Sequence, residues 1–488
     1  MKEKTKNERK GITLIALVVT IVVLLILAGV SINLVLGNNG IVAKAEKSSV
    51  ETEISQVAEK INFLNYEISM DSKIKGQDES VLEYLKNNGM IDENNVLNTK
   101  KLLGAETRYG NGIESDVYKI QENKIVYINK ESKKVAERDV DTQLLAFVTE
   151  WTVNDNDTIV LPISNEYEGD NDFFVNWGDG SAVENIKGVL DQVPSHTYSK
   201  AGKYHISITG ILQYFDLSNI VNQYPEVPKK LTKLVSWGEI EARHYCFTNA
   251  VNLAGEIPSP AKNSFKHIEE FDYLFNHCQS IETIPADLFK NIPEQVQNFN
   301  GAFNGCEKLK YIPNGLFDEA KNTTTFRGCF YGCSSLTQIP DNLFKNNAKV
   351  TTFERTFREC TGLTSIPENL FKNNTQVTTF EKTFYECTGL TSIPENLFKN
   401  NTQVTTFKNT FRACTGLTSI PENLFNNNQE ASDFRYTFAD SENLVSAPKL
   451  WERTISGLDG TGCFYGCEKI DRTGIPSDII TKWFETGE

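Results

Sequence analysis

The sequence predicts a multidomain protein with four parts: a long N-terminal transmembrane α-helix, a small α+β domain, a β-sandwich spacer and a solenoid of short repeats. Three observations predict this fold class. Residues 12–36 are 25 residues without charge, short β-prone runs broken by Asn, Asp and Gly begin at Leu144, and one motif recurs every 26 to 28 residues in the last half of the chain. A length of 488 residues also exceeds what one hydrophobic core usually organises.

The first part is predicted to cross a membrane. As a helix, residues 12–36 would be about 37 Å long at about 1.5 Å per residue, which spans the hydrocarbon core. Basic residues outnumber acidic ones before this run, so the positive-inside rule predicts a single-pass membrane protein with an extracellular C-terminal part. A signal peptide cleaved near Ala43–Ala45 is the alternative, but its apolar region would be only about 7 to 15 residues long.

The predicted helix continues beyond the apolar run as an amphipathic segment to residue 68. An apolar stripe with alternating spacings of three and four residues predicts this continuation; it consists of Val50, Ile54, Val57, Ile61, Leu64 and Ile68. The stripe fits either a short coiled-coil stalk or packing onto a small domain of the same chain.

The segment around Gly11 resembles the N-terminus of type IV prepilins and pseudopilins. It has a basic leader ending in Lys10-Gly11, then Ile12-Thr13-Leu14-Ile15 and an uninterrupted apolar helix. The resemblance implies a leader at residues 1–11, a pilin-like helix at 12–68, cleavage between Gly11 and Ile12 by a prepilin peptidase, and other pilins as partners. Ala16 stands where the family usually has Glu, so whether the helix polymerises stays open.

Residues 69–143 are predicted to form the small α+β domain. The stretch "SVLEYLKNNGMI" is amphipathic, and β-prone runs that contain Val117, Ile120, Ile125, Tyr127 and Val135 alternate with polar turns. This pattern predicts a β-meander.

Residues 144–212 are predicted to form a β-sandwich. Apolar and polar residues alternate from Tyr204 to Ile208, and Asp179-Gly180 after Trp177 predicts a tight turn. The motifs "VNWGDGS", "HTY" and "AGKYHISI" resemble a PKD domain, an immunoglobulin-like spacer of surface proteins. Structural roles are favoured for the polar residues here: solvated turns rather than Ca²⁺ ligands for Asp170, Asp172 and Asp179, and satisfied structural positions for His196 and His205.

After a connector and cap at residues 213–243, residues 244–488 are predicted to form a solenoid of about nine repeats. The template is F-x-x-C-x-x-L-x-x-I-P, and its copies begin at Phe275, Phe303, Phe330, Phe357, Phe384 and Phe411, with degenerate copies at Phe247, Phe438 and Phe464. Equivalent residues should stack as ladders about 4.8 Å apart, with a short strand at Leu-x-x-Ile that the following Pro ends.

The cysteines of the template predict a ladder of buried free thiols. Zn²⁺ binding is disfavoured because a ladder spreads thiolates along a line. Disulfides are disfavoured because bridge geometry is strict and Ala250 and Ser441 fill the same slot in other copies. Small hydrophobic thiols fit best. Cys329 and Cys463 lie outside the template slot, and we expect them to be exposed, with Cys329 the first to oxidise.

The repeated "GCSSLTQIP" and "ECTGLTSIP" resemble BspA-like leucine-rich repeat surface proteins. The resemblance implies an α/β leucine-rich repeat solenoid that attaches to host, matrix or cell-surface proteins. Outward positions between Leu and Ile are the candidate ligand face: Lys310, Tyr311, Thr337, Gln338, Thr364, Ser365, Thr391, Ser392, Thr418 and Ser419. Identical rungs would favour an extended ligand, although a merely solvated face is the alternative.

The sequence predicts no enzyme, cofactor or metal site, because none of the nucleophile, phosphate-loop or zinc-protease motifs is present. The net charge of −15 opposes nucleic acid as a partner; the membrane partner would be reached through residues 12–36. The sequence therefore predicts a bacterial cell-surface or pilus-associated adhesin or recognition protein. The alternative is a minor pilin or pseudopilin with a structural role in filament assembly or tip capping.

Overall fold

The structure is a computed structural model that describes residues 85–86, 89–92, 96–98, 117–121, 124–128, 134–139, 146–163, 171–188, 193–238, 240 and 242–487. The chain divides into two compact units, Met1–Leu144 and Leu145–Glu488. The predicted leader, the processing positions Gly11 and Ile12, and the predicted helix at 12–68 lie outside the described residues.

The first unit contains a three-stranded antiparallel meander in the order β1-β2-β3. Its strands are β1 (Val117–Gln121), β2 (Lys124–Ile128) and β3 (Lys134–Asp139). The β1–β2 register pairs Gln121 with Lys124 at the turn end. The β-prone runs identified in the sequence therefore form the strands of this meander.

The second unit begins with a five-stranded antiparallel sheet in the order β11-β4-β9-β6-β7 and a separate two-stranded sheet, β5-β8. The strands are β4 (Phe147–Val153), β5 (Thr158–Val160), β6 (Asn171–Asn176), β7 (Glu184–Gly188), β8 (Ser195–Thr197), β9 (Gly202–Ile211) and β11 (Leu231–Ser236). Strand β11 comes from the segment that the sequence assigns to a connector. A further parallel pair joins β10 (Tyr214–Asp216) to β12 (His244–Cys246).

The two PKD-like motifs meet at one corner of this part of the unit. Trp177 is fully buried, and its backbone carbonyl accepts a hydrogen bond from the Tyr198 hydroxyl at 2.8 Å. His196 stacks on the Trp177 ring at 5.1 Å and lies 2.7 Å from an oxygen of Asp179. His196 and Asp179 therefore both have partners within the fold.

Asp179 makes this corner sensitive to acid. Burial raises its pKa, but hydrogen bonds from Ser181 and His196 outweigh burial and bring the pKa to about 2. Because the folded-state pKa lies below the unfolded value of about 3.9, Asp179 stabilises the fold above about pH 4 and loses this effect as the pH falls towards 2. We expect Asp179→Asn to lower stability by about 1–2 kcal/mol near neutral pH and by much less near pH 2. Urea unfolding followed by tryptophan fluorescence checks this, and an unchanged difference at both pH values would contradict it.

Residues 247–470 form a stack of repeats that we call the repeat column. Each repeat consists of turns, and from Asn298 onward each contributes a single residue to a row of parallel β-bridges. The row joins Asn298, Thr325, Thr352, Thr379, Thr406, Asp433 and Asp459. The sequence placed the strand at Leu-x-x-Ile, where the only bridge joins Glu256 and Thr283. The predicted position of the strand was wrong, because the row of bridges lies just before an additional Phe upstream of the template.

The predicted fold class is wrong about the repeats and about a long transmembrane helix. Residues 247–449, all of which the structure describes, contain no helix, so the repeats are not an α/β leucine-rich repeat solenoid. The named helical segments are short: α1 (Val227–Lys230), α2 (Ser477–Ile479), 3-10 turns at Leu217–Asn219 and Leu450–Glu452, and a π-helix at Ile480–Glu485.

A search of the described residues for a helix with the length and hydropathy needed to cross a membrane finds none. This finding contradicts the predicted transmembrane pilin-like helix and the single-pass membrane localisation. The segment for which that helix was predicted lies outside the described residues.

Three ladders of phenylalanine fill the repeat column. The template Phe residues, Phe247 to Phe464, stack with ring centroids 5.4–5.9 Å apart, as the sequence predicted. Two further ladders were not predicted. One runs through Phe271, Phe299, Phe326, Phe353, Phe380, Phe407 and Phe434, and the other through Phe289, Phe317, Phe344, Phe371, Phe398 and Phe425.

All ten cysteines are free and buried. In the ladder, each thiol donates to the carbonyl of the template Phe in the preceding repeat, as Cys387 does to Phe357 at 3.1 Å. Ser441 makes the same bond to Phe411 at 3.1 Å. Burial raises the pKa of Cys387 well above its ordinary value. The ladder thiols therefore act as protonated hydrogen-bond donors.

The expectation that Cys329 and Cys463 are exposed was wrong, because both are fully buried. They occupy the position just before the template Phe, where other repeats carry buried threonines such as Thr356. The Thr356 hydroxyl donates to the Phe326 carbonyl of the preceding repeat at 3.0 Å. The template omitted this position because its residues differ in type.

The donor role of the thiol slot can be tested at Ser441, the one serine in it. Ser441→Ala removes the donor and leaves the buried Phe411 carbonyl unpaired, which should cost about 1–2 kcal/mol. Ser441→Cys restores the residue type found in neighbouring repeats and should cost less than about 1 kcal/mol. Thermal unfolding of the two variants checks this order. Equal stability of both would show that the slot needs only a small side chain.

In every repeat after the first, two residues have left-handed backbone conformation, which closes the turns on either side of the template Phe; the first repeat has one, Asn249. Some repeats use glycine, such as Gly328 (φ 60°) and Gly332 (φ 70°), while others use Lys382 (φ 57°) or Ala413 (φ 57°). A non-glycine residue costs about 1–2 kcal/mol in this conformation. The non-glycine residues in these turns therefore lower the stability of the column.

Replacing Ala413 by glycine should relieve this strain. We expect Ala413→Gly to stabilise the protein by about 0.5–1 kcal/mol, since the relief exceeds the entropy that glycine adds to the unfolded chain. The matched control is Ala439→Gly, because Ala439 is buried and does not have a positive φ. That control should destabilise by about 1 kcal/mol. Melting temperatures check the pair, and a loss of stability in both variants would argue against strain at Ala413.

Candidate recognition surfaces

The predicted ligand face is exposed at all ten of its positions. It consists of Lys310, Tyr311, Thr337, Gln338, Thr364, Ser365, Thr391, Ser392, Thr418 and Ser419, and we call it the hydroxyl face. Backbone hydrogen bonds join successive repeats along this face, as the Thr391 N–H donates to the Thr364 carbonyl at 3.3 Å. The Thr391 hydroxyl donates to the same carbonyl at 3.3 Å. In the middle of the face the side chains are therefore small, and the hydroxyl groups of Thr364 and Thr391 already have partners within the repeats.

Two large apolar side chains lie at the ends of the hydroxyl face. Tyr311 is 50% exposed, and Val445, which follows Thr418 in the same row, is 55% exposed. Near one end, Lys310 forms an ion pair with Glu282 at 2.6 Å. The middle of the face offers little apolar area, so most of its binding capacity would lie at its ends.

A second surface, which the sequence analysis missed, consists of Tyr331, Arg358, Tyr385, Arg412 and Tyr436. We call it the Tyr–Arg row. The Arg358 guanidinium lies 4.9 Å from the Tyr331 ring centre and 4.6 Å from that of Tyr385. Arg412 lies 5.8 Å from the Tyr385 ring and 5.5 Å from the Tyr436 ring. Cations and rings thus alternate along successive repeats.

Carboxylates hold the Tyr–Arg row in place. Glu359 accepts hydrogen bonds from the Tyr331 hydroxyl at 3.0 Å and from Arg358 at 2.9 Å. Asp440 accepts from Arg412 Nε at 3.0 Å. Burial and the hydrogen bond to Glu359 raise the pKa of Tyr331. The long side chains of the row are therefore fixed in one arrangement before any ligand arrives.

The sequence contains a signal for this row. The residue after the template Phe alternates as Tyr331, Arg358, Tyr385 and Arg412 over four successive repeats. The interpretation concentrated on the Leu-x-x-Ile segment, where a leucine-rich repeat has its strand face. The bridge row lies in a different segment, just upstream of the template.

His277 and Cys278, the one histidine and cysteine that are adjacent in the sequence, do not form a catalytic pair. Cys278 is fully buried, and its thiol donates to the Phe247 carbonyl at 3.1 Å. Burial raises the pKa of that thiol well above its ordinary value. His277 is exposed and lies 3.0 Å from the Asn276 side-chain oxygen. The two side chains therefore serve separate contacts.

Comparisons with protein-family models, with curated proteins and with solved structures find no match to this chain. The resemblances to type IV prepilins, PKD domains and BspA-like repeats therefore stay predictions.

Proposed function

We propose that this is a non-catalytic recognition protein of the adhesin class, which binds an extended protein ligand through the Tyr–Arg row. The stacking of Arg358 between Tyr331 and Tyr385 is the observation that carries the proposal. Host, matrix and cell-surface proteins are the ligand classes.

The composition and rigidity of the row support this proposal. Tyrosine and arginine are enriched among the residues that dominate protein–protein binding energy. Because Glu359 and Asp440 already fix the guanidinium groups, binding would cost little side-chain entropy. The guanidinium edges and phenol rings favour a ligand segment with carboxylate and aromatic side chains.

The spacing of the row favours a long ligand. Equivalent side chains recur once per repeat, and neighbouring template rings are 5.4–5.9 Å apart. A ligand that follows the column can contact several rungs at once, so modest contacts add through high effective concentration. The hydroxyl face has the same spacing, but the hydroxyl groups of Thr364 and Thr391 are engaged and the side chains in its middle are small.

The alternative of a structural minor pilin or pseudopilin depends on residues 12–68. Those residues lie outside the described part of the chain, and the described repeats carry no observation that favours this role.

Two double variants of the full chain test which surface binds. Arg358→Ala/Tyr385→Ala should weaken binding to a responding matrix protein or cell type by about 30-fold or more, since truncating a hot-spot residue costs about 2 kcal/mol. The matched control, Thr364→Ala/Thr391→Ala on the hydroxyl face of the same repeats, should change binding by less than about 3-fold. Biolayer interferometry against a panel of matrix proteins, with melting curves for both variants, gives the comparison.

The opposite ranking would place recognition on the hydroxyl face and refute the Tyr–Arg row. Failure of the unaltered protein to bind any matrix protein or cell type in a broad panel would refute the recognition function itself.

A further inference from the structure

The parallel pair β10–β12 places three metal-ligand side chains on one face. Its register pairs Phe215 with Tyr245 and Asp216 with Cys246. Side chains alternate along a strand, so Asp216, His244 and Cys246 share one face. Phe215 and Tyr245 take the other face and are fully buried in the core. The alternation of polar and aromatic residues in "YFD" and "HYC" therefore produces a cluster of a carboxylate, an imidazole and a thiol.

The three ligand atoms converge. One ligand atom from each of Asp216, His244 and Cys246 lies within 4.8 Å of the others, and His244 Nε2 is 4.0 Å from Asp216 Oδ2. In a tetrahedral zinc site with metal–ligand distances of about 2.0–2.3 Å, ligand atoms are about 3.3–3.8 Å apart. A closure of about 1 Å would therefore bring the three atoms to coordination distance.

The second ring nitrogen of His244 lies near a carboxylate. His244 Nδ1 is buried and has no hydrogen-bond partner, while Glu270 Oε1 lies 3.9 Å from it. Metal-bound histidines usually direct the second ring N–H at a carboxylate or carbonyl oxygen, and Glu270 is placed for that role.

We propose that Asp216 Oδ2, His244 Nε2 and Cys246 Sγ bind one divalent transition-metal ion, with Zn²⁺ as the best match to this donor set. Oxygen, nitrogen and sulfur donors together suit zinc better than magnesium or calcium. The ion joins β10, which follows β9 of the five-stranded sheet in the chain, to β12, which leads into the repeat column.

Metal binding is a proton exchange without any change of oxidation state. The Cys246 S–H bond breaks, a zinc–sulfur bond forms, and one proton leaves to solvent. Thr248 Oγ1 lies 2.9 Å from the sulfur and can donate to the thiolate. Because a proton and the metal compete for the sulfur, affinity falls as the pH falls.

Metal binding by the full chain, purified with chelator and then dialysed free of it, tests the proposal. We expect equilibrium dialysis against ZnCl₂ with elemental analysis to give one ion per chain. Co²⁺ in place of Zn²⁺ should produce thiolate-to-cobalt charge-transfer absorption. Cys246→Ser should abolish that absorption and weaken binding by about 100-fold or more, and His244→Gln should weaken binding similarly, since each removes a ligand. The matched control is Cys329→Thr, which takes the residue found at that position in other repeats and should leave binding unchanged.

Melting curves without metal show whether each variant is folded, and the cobalt spectrum of the unaltered protein does not depend on them. No bound metal, or cobalt bound without a thiolate absorption band, would overturn the proposal. Zinc binding that survives both Cys246→Ser and His244→Gln in folded protein would mean adventitious binding elsewhere and would also overturn it.

Discussion

The repeat column depends on side-chain donors that satisfy the backbone of the preceding repeat. Its turns leave many carbonyl groups without a strand partner, and a buried carbonyl without a partner costs about 1–3 kcal/mol. Each repeat therefore contributes donors at fixed positions. The Cys387 thiol bonds the Phe357 carbonyl, the Thr383 hydroxyl bonds the Phe353 carbonyl, and the Asn374 amide bonds the carbonyl of Asn347. Phenylalanine ladders fill the space between these rows of donors, so hydrogen bonding and packing fix the same register.

This register determines what the surface can do. Because each repeat must stack on its neighbour in one position, an exposed residue type that recurs in the sequence becomes a straight row in space. The interior positions change little from Phe357 to Phe411, whereas the position after each template Phe changes from Tyr331 to Arg358 and back to Tyr385. Such a surface can change its chemistry without any cost to the core. The Tyr–Arg row can therefore vary independently of the ladders beneath it.

The sequence predicted the part of this fold that depends on period and hydrophobicity. A constant spacing was enough to predict the template Phe ladder and the burial of the cysteines within it. It was not enough to place the bridge row, because Leu-x-x-Ile looks like a strand while the bridging Thr352 lies in the polar segment "TTF". Nor did it reveal the left-handed turns, since Lys382 and Ala413 have no intrinsic preference for that conformation. Gly328 and Gly332 at the equivalent positions were the available signal. The chemistry between repeats was missed for another reason: cysteine was treated as a small hydrophobe, although the serine in its slot indicates a donor.

The ends of the column face a different constraint, because a stack of repeats exposes apolar rings at each end unless other side chains cover them. At the first repeats, Trp237 contacts Phe247 and Phe265 edge to face at 5.9 and 5.0 Å. At the last, Phe484 stacks on Phe464 at 5.1 Å. Both covers come from segments outside the repeats. Trp237 directly follows β11 of the antiparallel sheet and precedes β12, which pairs in parallel with β10, so the antiparallel sheet gives way to parallel stacking here. A junction of this kind cannot rely on repetition for its register. Side chains that occur once in the chain must fix it, and for this reason the polar cluster of Asp216, His244 and Cys246 lies at this point rather than along the column.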